Sequence, residues 1–345
     1  MDMKKVIITG ILGQDGANMA EYLLSLDEEI KVYGVMRRTA NANFENINDF
    51  KDHPNFEICC GDLTDEISIN KLVTNIQPDY FINFGANSFV GCSWDMPLQV
   101  FDVNTLGVIR CLEAIRKLKP DCRFYSAGSS EELGDVDYSP QDISHPIKPR
   151  SPYGASKAAA RHLVKVYRES YDLFAIHSIL FNHEGLRRGE EFVTRKITKG
   201  VAKIAKALKN GNPYTPLELG NMEAKRDWSD SEDFVKAVWL MLNQPKPKEY
   251  VLSSNETHTV KEFVELAFAE AEIEGEWKGE GINEKFIEID GETLVKVNED
   301  FYRPAEIALL YGDSNPARQE LGWKPEISFK ELVSRMVRKD LNNTP

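Results

Sequence analysis

Seven residues, Gly10 to Gly16, restrict what this chain can become more than any other stretch. The apolar run Val6-Ile7-Ile8-Thr9 leads straight into Gly10-Ile11-Leu12-Gly13-Gln14-Asp15-Gly16, and a helical pattern follows at 17–26. Glycines spaced G-x-x-G-x-x-G between a strand and a helix let the backbone turn tightly and approach a pyrophosphate, which the positive helix N-terminus then holds. Such a unit opens a doubly wound sheet, so strands and helices should go on alternating. They do: strand-like runs recur at 32–36, 56–60, 80–84, 123–127 and 174–180, with helical patterns at 67–76, 106–117 and 153–171. The expected class is α/β, a Rossmann-type doubly wound parallel sheet with a smaller C-terminal substrate-binding α/β domain.

Beyond residue 182 the pattern loosens into polar loops, with helices expected at 193–208, 232–242 and 260–271. The expected division is a dinucleotide-binding domain at 1–181 and a substrate domain occupying most of 182–345, with segments near 219–253 returning to the first. The stretch 274–300 is rich in Gly, Glu and Asp like a linker, yet its alternation, as at 285–289, reads as strands. A chain of 345 residues can bury a substantial core.

Composition narrows the partners. The net charge of −13 excludes a broad basic surface, so no nucleic acid partner is expected and any bound anion must meet a local basic cluster. No apolar run approaches the roughly 20 residues that cross a bilayer. The first residues pass from two lysines into a strand without a secretory pattern, so the expectation is a cytoplasmic protein with no membrane association. Cys59, Cys60, Cys92, Cys111 and Cys122 form no C-x-x-C and have no histidines at ligand spacing, which points to reduced thiols and no metal site.

At the end of the second strand, where a carboxylate would take the ribose 2′-hydroxyl of NAD, stand Arg37 and Arg38. Two guanidiniums pair with a 2′-phosphate, so NADP is the expected cofactor. Asp62-Leu63 after the third strand is a candidate adenine contact, or a turn and helix cap. The expected cofactor set is thus Gly10, Gly13, Gln14, Asp15, Gly16, Arg37, Arg38, Asp62 and Leu63, with Tyr153 and Lys157.

Tyr153 and Lys157 lie four apart on one helix face, which brings an ammonium near a phenol. Moving a phenol from pKa ~10 towards ~7 takes about 4 kcal/mol of preferential phenolate stabilisation, and a lysine and an oxidised nicotinamide supply the charge. The fifth strand runs out into Ser129-Ser130-Glu131-Glu132, on the side where parallel strands open onto their ligand crevice. A hydroxyl and a carboxylate there suit oxidation followed by elimination. The same residues also read as a helix cap with an acidic first turn.

Together these residues resemble the extended short-chain dehydrogenase/reductase family, most closely its GDP-mannose 4,6-dehydratases. The resemblance runs nearly the full length. It is carried by the glycine turn, Arg37-Arg38, Gly61-Asp62-Leu63-Thr64-Asp65, Ser129-Ser130-Glu131, and Arg150-Ser151-Pro152-Tyr153 with Lys157. Further matches are Phe181-Asn182-His183-Glu184, Arg187-Arg188-Gly189-Glu190, Phe192-Val193-Thr194-Arg195-Lys196-Ile197, Leu219-Gly220-Asn221-Met222, Arg226-Asp227-Trp228 and Tyr302-Arg303-Pro304-Ala305-Glu306.

The resemblance implies that Tyr153 takes the proton of a sugar 4-hydroxyl while hydride leaves C4, with Ser129 on the same oxygen. Glu131 then removes the C5 proton as the C6 hydroxyl departs, protonated by Glu131 or through Ser130. It also implies that Asn182, Thr194, Lys196, Arg226, Arg303 and Glu306 hold the GDP portion, with Ser88 and Glu184 near the hexose. A homotetramer, or at least a homodimer, is implied as well.

Departures concern the sugar. The family usually has Thr-Ser-Glu-Leu-Tyr-Gly where this chain has Ser129-Ser130-Glu131-Glu132-Leu133-Gly134, Phe89 stands where a histidine is usual, and Ser229-Asp230 replace Gly-His. A related GDP-sugar such as a GDP-manno-heptose is therefore an alternative substrate. A C4 epimerase or reductase would keep Tyr153 and Lys157 without needing Glu131. A non-catalytic nucleotide-sugar sensor would need none of the three.

Overall fold

Strand β1 (Lys4–Thr9) is covered on both sides. Val6 and Ile8 face one core, which includes helix α1 (Gln14–Ser25); Ile7 faces the other; all three are wholly inaccessible. Alternate side chains of a strand point to opposite faces, so a continuous apolar run belongs to a sheet with helices on both sides. The computed structural model of the chain describes residues 3–26, 29–302, 307 and 309–344.

Six more strands join β1 in parallel: β2 (Ile30–Met36), β3 (Phe56–Cys60), β4 (Tyr80–Asn83), β5 (Arg123–Ala127), β6 (Ala175–Leu180) and the two-residue Val251–Leu252. Their order across the sheet is Val251–Leu252, β6, β5, β4, β1, β2, β3. The chain moves outward from β1 to β3, then returns to the other side of β1 as β4. This is the Rossmann-type doubly wound sheet, and its reversal between β1 and β4 opens a crevice at the carboxyl ends of the strands.

One face of the sheet carries α1 and the helix Ser231–Leu242. The other carries α2 (Glu66–Ile76), α4 (Gly107–Leu118) and α5 (Pro152–Tyr171). Before α4, the short α3 (Pro97–Phe101) passes through a π-helical turn at Asp102–Leu106, where one continuous helix was expected to start at 106. Asp65 caps α2 by accepting from Ile67 N at 3.0 Å. Ser151 caps α5 by accepting from Gly154 N at 3.0 Å, with Pro152 in the first turn where its missing N–H costs nothing. α1 starts at Gln14 rather than 17, because its first residues belong to the turn and show no apolar periodicity.

A second core gathers α6 (Val193–Lys209) with the helices Val260–Glu270 and Phe329–Asn343 around Trp228, whose ring stacks on Phe329 at 5.8 Å. The Gly/Glu/Asp-rich stretch supplies Gly275–Lys278, Lys285–Glu288 and Thr293–Val297, which join Leu217–Leu219 in a four-stranded sheet. The two cores meet where β7 (Asn182–Glu184) pairs in parallel with Trp228–Asp230. Among the described residues no helix is long and apolar enough to cross a membrane.

Candidate active site

The turn after β1 is built to approach something closely. Gly10 has φ +71°, and a Cβ on Gly16 would lie 2.3 Å from Gly10 O, so a side chain at either position would distort the turn. Gly13 caps α1 without a side-chain hydrogen bond, which leaves the first amides of the helix for a ligand. Gly10, Gly13, Gln14, Asp15 and Gly16 all line one cavity of about 860 Å³ at the sheet's reversal point. The buried Gln14 Oε1 and Asn182 Oδ1, both on residues of its wall, have no hydrogen-bond partner among the described residues. The glycine cradle, the helix start without a side-chain cap and the buried acceptor of Gln14 fit a dinucleotide.

Arg37, Asp62 and Leu63 line the same cavity, whereas Arg38 is exposed and outside its wall. Asp62 also organises its own turn, accepting from Thr64 N at 2.9 Å and Thr64 Oγ1 at 2.8 Å.

Further in, the ends of β5 and α5 meet. The turn Ser130–Glu132 is capped by Ser129, which accepts from Glu131 N, while the carboxylate of Glu132 reaches back to Ser129 N at 2.8 Å. The cap reading and the cavity reading of this segment therefore hold at once. Glu132 serves the cap and is fully buried, and Glu131 is left on the cavity wall with Ser129 and Ser130.

Tyr153 and Lys157 complete that wall. Burial pushes the Tyr153 phenol well above its usual range, and a hydrogen bond with Ser129 works against that rise. Burial brings Lys157 down to about 8, opposed by the charges of Glu132 and Asp15, and its ammonium donates to Ala127 O at 2.7 Å.

Asn104, in the π-helical turn, braces the neighbouring loop. Its Oδ1 accepts from Asn87 N at 2.9 Å, and its Nδ2 donates to Asn87 O at 3.2 Å and Ser156 Oγ at 3.1 Å. Ser88, next in the chain, lines the cavity.

The far wall comes from β7 and the segment after it. Asn182, Glu184 and Arg226 line it. Glu184 is buried, pairs with Arg188 Nε at 2.8 Å and accepts from Thr194 Oγ1 at 2.5 Å. Thr194, expected to touch a ligand, has no accessible surface and stands behind Glu184 instead, because α6 turns its hydroxyl into the interior. Lys196 is also outside the cavity wall, with its ammonium 3.4 Å from the ring centre of Phe301, which does line the cavity. Arg303 and Glu306 lie outside the described residues.

Two cavity residues were not singled out from the sequence, although both sit in quoted motifs. His183 donates or accepts at Asp15 Oδ2, 3.0 Å away, and at Phe181 O, 2.8 Å away. Burial alone would raise Asp15, yet the charge and hydrogen bond of His183, with Gln14, bring it down to about 2. His183 is raised in turn, Asp15 outweighing the burial that would lower it. Arg188 lies over the Phe192 ring at 3.4 Å and eases the Tyr153 phenol downward by its charge. The signal available was four cationic or titratable side chains, His183, Glu184, Arg187 and Arg188, within six consecutive residues after β6.

The family model for GDP-mannose 4,6 dehydratase matches residues 7–336. A GDP-mannose 4,6 dehydratase of Drosophila melanogaster is 42% identical, over 98% of this chain and 86% of its own length. Among solved structures, a dTDP-glucose 4,6-dehydratase from Bacillus anthracis, in complex with NAD, superposes with a TM-score of 0.80 at 20% identity, covering 99% of this chain and 97% of that one. A protein of Pseudomonas aeruginosa complexed with NADPH superposes with a TM-score of 0.77 at 19% identity, covering 99% and 100%. At that identity the structural likenesses speak for the fold, while the sequence match decides the family: the chain belongs to the GDP-mannose 4,6-dehydratases.

Proposed function

We propose that this enzyme converts GDP-mannose, or a closely related GDP-sugar, to the GDP-4-keto-6-deoxy sugar. The observation that carries the reading is the shared wall of Ser129, Glu131, Tyr153 and Lys157 in a cavity that also includes the glycine turn and Arg226. When bound, NADP supplies the hydride acceptor for C4, the returning hydride for C6 and a positive charge beside Tyr153.

Ser129 and Tyr153 hold the C4 oxygen, and Tyr153 takes its proton. Lys157 lowers the cost of the phenolate. Once C4 is a ketone its neighbour C5 is acidic, and Glu131 removes that proton while the C6 hydroxyl leaves as water, protonated by Glu131 or through the buried Ser130. C5 then takes up a proton again, and the proton that Tyr153 took from the C4 hydroxyl makes up for the one lost with the water. Ser88 and Glu184 face the hexose, and Asn182, Arg226, Arg303 and Glu306 serve the GDP portion, with Lys196 behind the wall residue Phe301.

Arg37 on the cavity wall, with Arg38 beside it, supports NADP over NAD. The dinucleotide belongs to residues 1–181 and the nucleotide sugar mainly to 182–345, with 219–253 returning to the first domain. The protein works in the cytoplasm as a homotetramer or homodimer. Exposed Leu98, Phe101, Leu106 and Val166, on α3, the π-helical turn and α5, support a subunit interface.

The test is mass spectrometry of the products from a panel of GDP-sugars with the NADP-loaded enzyme. Loss of one water from GDP-mannose or a relative is expected. A product of unchanged mass would favour the C4 epimerase reading, and Glu131→Gln separates the two, since only dehydration needs that carboxylate.

A further inference from the structure

Beneath the catalytic turn lies a pair that no step above uses. Glu132 and His177, 45 positions apart, have no accessible side-chain surface, and His177 Nε2 lies 2.8 Å from Glu132 Oε1. That same oxygen accepts from Ser129 N at 2.8 Å. Among the described residues Glu132 Oε2 and His177 Nδ1 have no hydrogen-bond partner, so this is not a wide polar network. One oxygen joins the core strand β6 to the backbone of Ser129.

The space around the pair is full. A Cβ on Gly128 would lie 2.3 Å from His177 Nε2 and 2.6 Å from Glu132 Oε1, and Gly128 N donates to Ser178 O at 2.9 Å. The turn is therefore pressed against β6 at residue 128 and tied to it at residue 129. With the cap in place, Ser129 and Glu131 both stand on the cavity wall.

We propose that Glu132 and His177 are positioning residues, which hold Ser129 and Glu131 at the reacting face of the sugar through the single acceptor Glu132 Oε1. That the turn is catalytic rests on the dehydratase reading above. A buried carboxylate and imidazole are an expensive way to fill this space, since well-packed apolar side chains of similar volume would do so without desolvating two polar groups. The family usually has Leu where this chain has Glu132, so the pair is a device of this chain, and what it adds to apolar packing is an acceptor for one particular backbone amide.

The test compares Glu132→Gln, Glu132→Leu and the double variant Glu132→Leu/His177→Leu in the NADP-loaded enzyme. It measures kcat and KM for the GDP-sugar, the thermal midpoint, and hydrogen exchange at the Ser129 amide. Glu132→Gln keeps a carbonyl oxygen for both donors and should hold kcat within about threefold of the unaltered enzyme. Glu132→Leu alone strands His177, and failure of that variant to fold is expected. The double variant removes both polar side chains and strands only the Ser129 amide, so it should fold with a modestly lowered thermal midpoint, while kcat falls roughly tenfold or more at little change in KM and Ser129 exchange accelerates.

Three results overturn the proposal: a double variant at full kcat, Ser129 exchange unchanged, or Glu132→Gln as impaired as the double variant. Should the unaltered enzyme dehydrate no GDP-sugar, the dehydratase reading falls, and Ser129 exchange alone then decides whether the tether exists.

Discussion

Replacing Asp15 with Asn should weaken the protein most in mildly acidic solution. Asp15 is brought from 3.8 to about 2, against burial, chiefly by His183, 3.0 Å away. A shift of that size corresponds to about 2 kcal/mol of preference for the ionised form. A lowered carboxyl pKa gives stability that is present above the unfolded value near 4 and is lost as the pH falls through about 2. His183 is raised above 6.5, so its share is present below 6.5 and is lost as the pH climbs through the raised value. Both shares coexist only between roughly pH 4 and 6.5.

In Asp15→Asn, burial is left as the main influence on His183, which should then titrate below its ordinary value. The assay is denaturation of the cofactor-free protein at pH 5.5 and 8.5, with the His183 imidazole followed by NMR. The expected gap between the two proteins is up to about 2 kcal/mol at the lower pH and smaller at the higher one. A gap that is constant or widens with pH, or a His183 that still titrates high in the variant, would refute the reasoning.

Three further outcomes follow from the site. Tyr153→Phe should cut kcat by ~10²- to 10⁴-fold with the nucleotide sugar still bound, and a near-normal kcat in steady-state assays would remove Tyr153 from the mechanism. The kcat/KM profile should fall on its alkaline side near pH 8, as Lys157 loses its proton from about 8; a profile level through pH 9.5 would count against an ammonium at that position. Thr194→Val leaves a buried oxygen of Glu184 with Arg188 alone, so denaturation should show a loss of about 1–3 kcal/mol together with a raised KM for the sugar.

The elements legible in the sequence were those whose signal is local. The apolar strand runs and the Tyr153/Lys157 spacing each lie inside one element, and the glycine turn spans only the junction of β1 with α1. What escaped depends on pairing across the chain. The seventh strand of the main sheet is only Val251–Leu252, too short for any periodicity, and is a strand only because β6 offers it an edge. The bracing by Asn104 depends on a π-helical turn that leaves no pattern in composition. Glu132 read as one more acidic residue in a first turn, since nothing local reveals a histidine on β6 beneath it. Thr194 was expected on the GDP portion through the resemblance alone, whereas the fold turns it inward.

The parallel ladder between β7 and Trp228–Asp230 also bears on how this enzyme could be re-engineered. One strand of it carries Asn182 and Glu184 on the cavity wall, and the other begins at Trp228 in the second core, so neither half of the molecule owns the binding chamber. Grafting a foreign C-terminal half to alter sugar choice would replace one rail of that ladder and disturb the floor on which the first half's own side chains stand. Specificity should thus yield more readily to single changes along the wall, such as Phe89 or Arg188, than to exchange of whole modules.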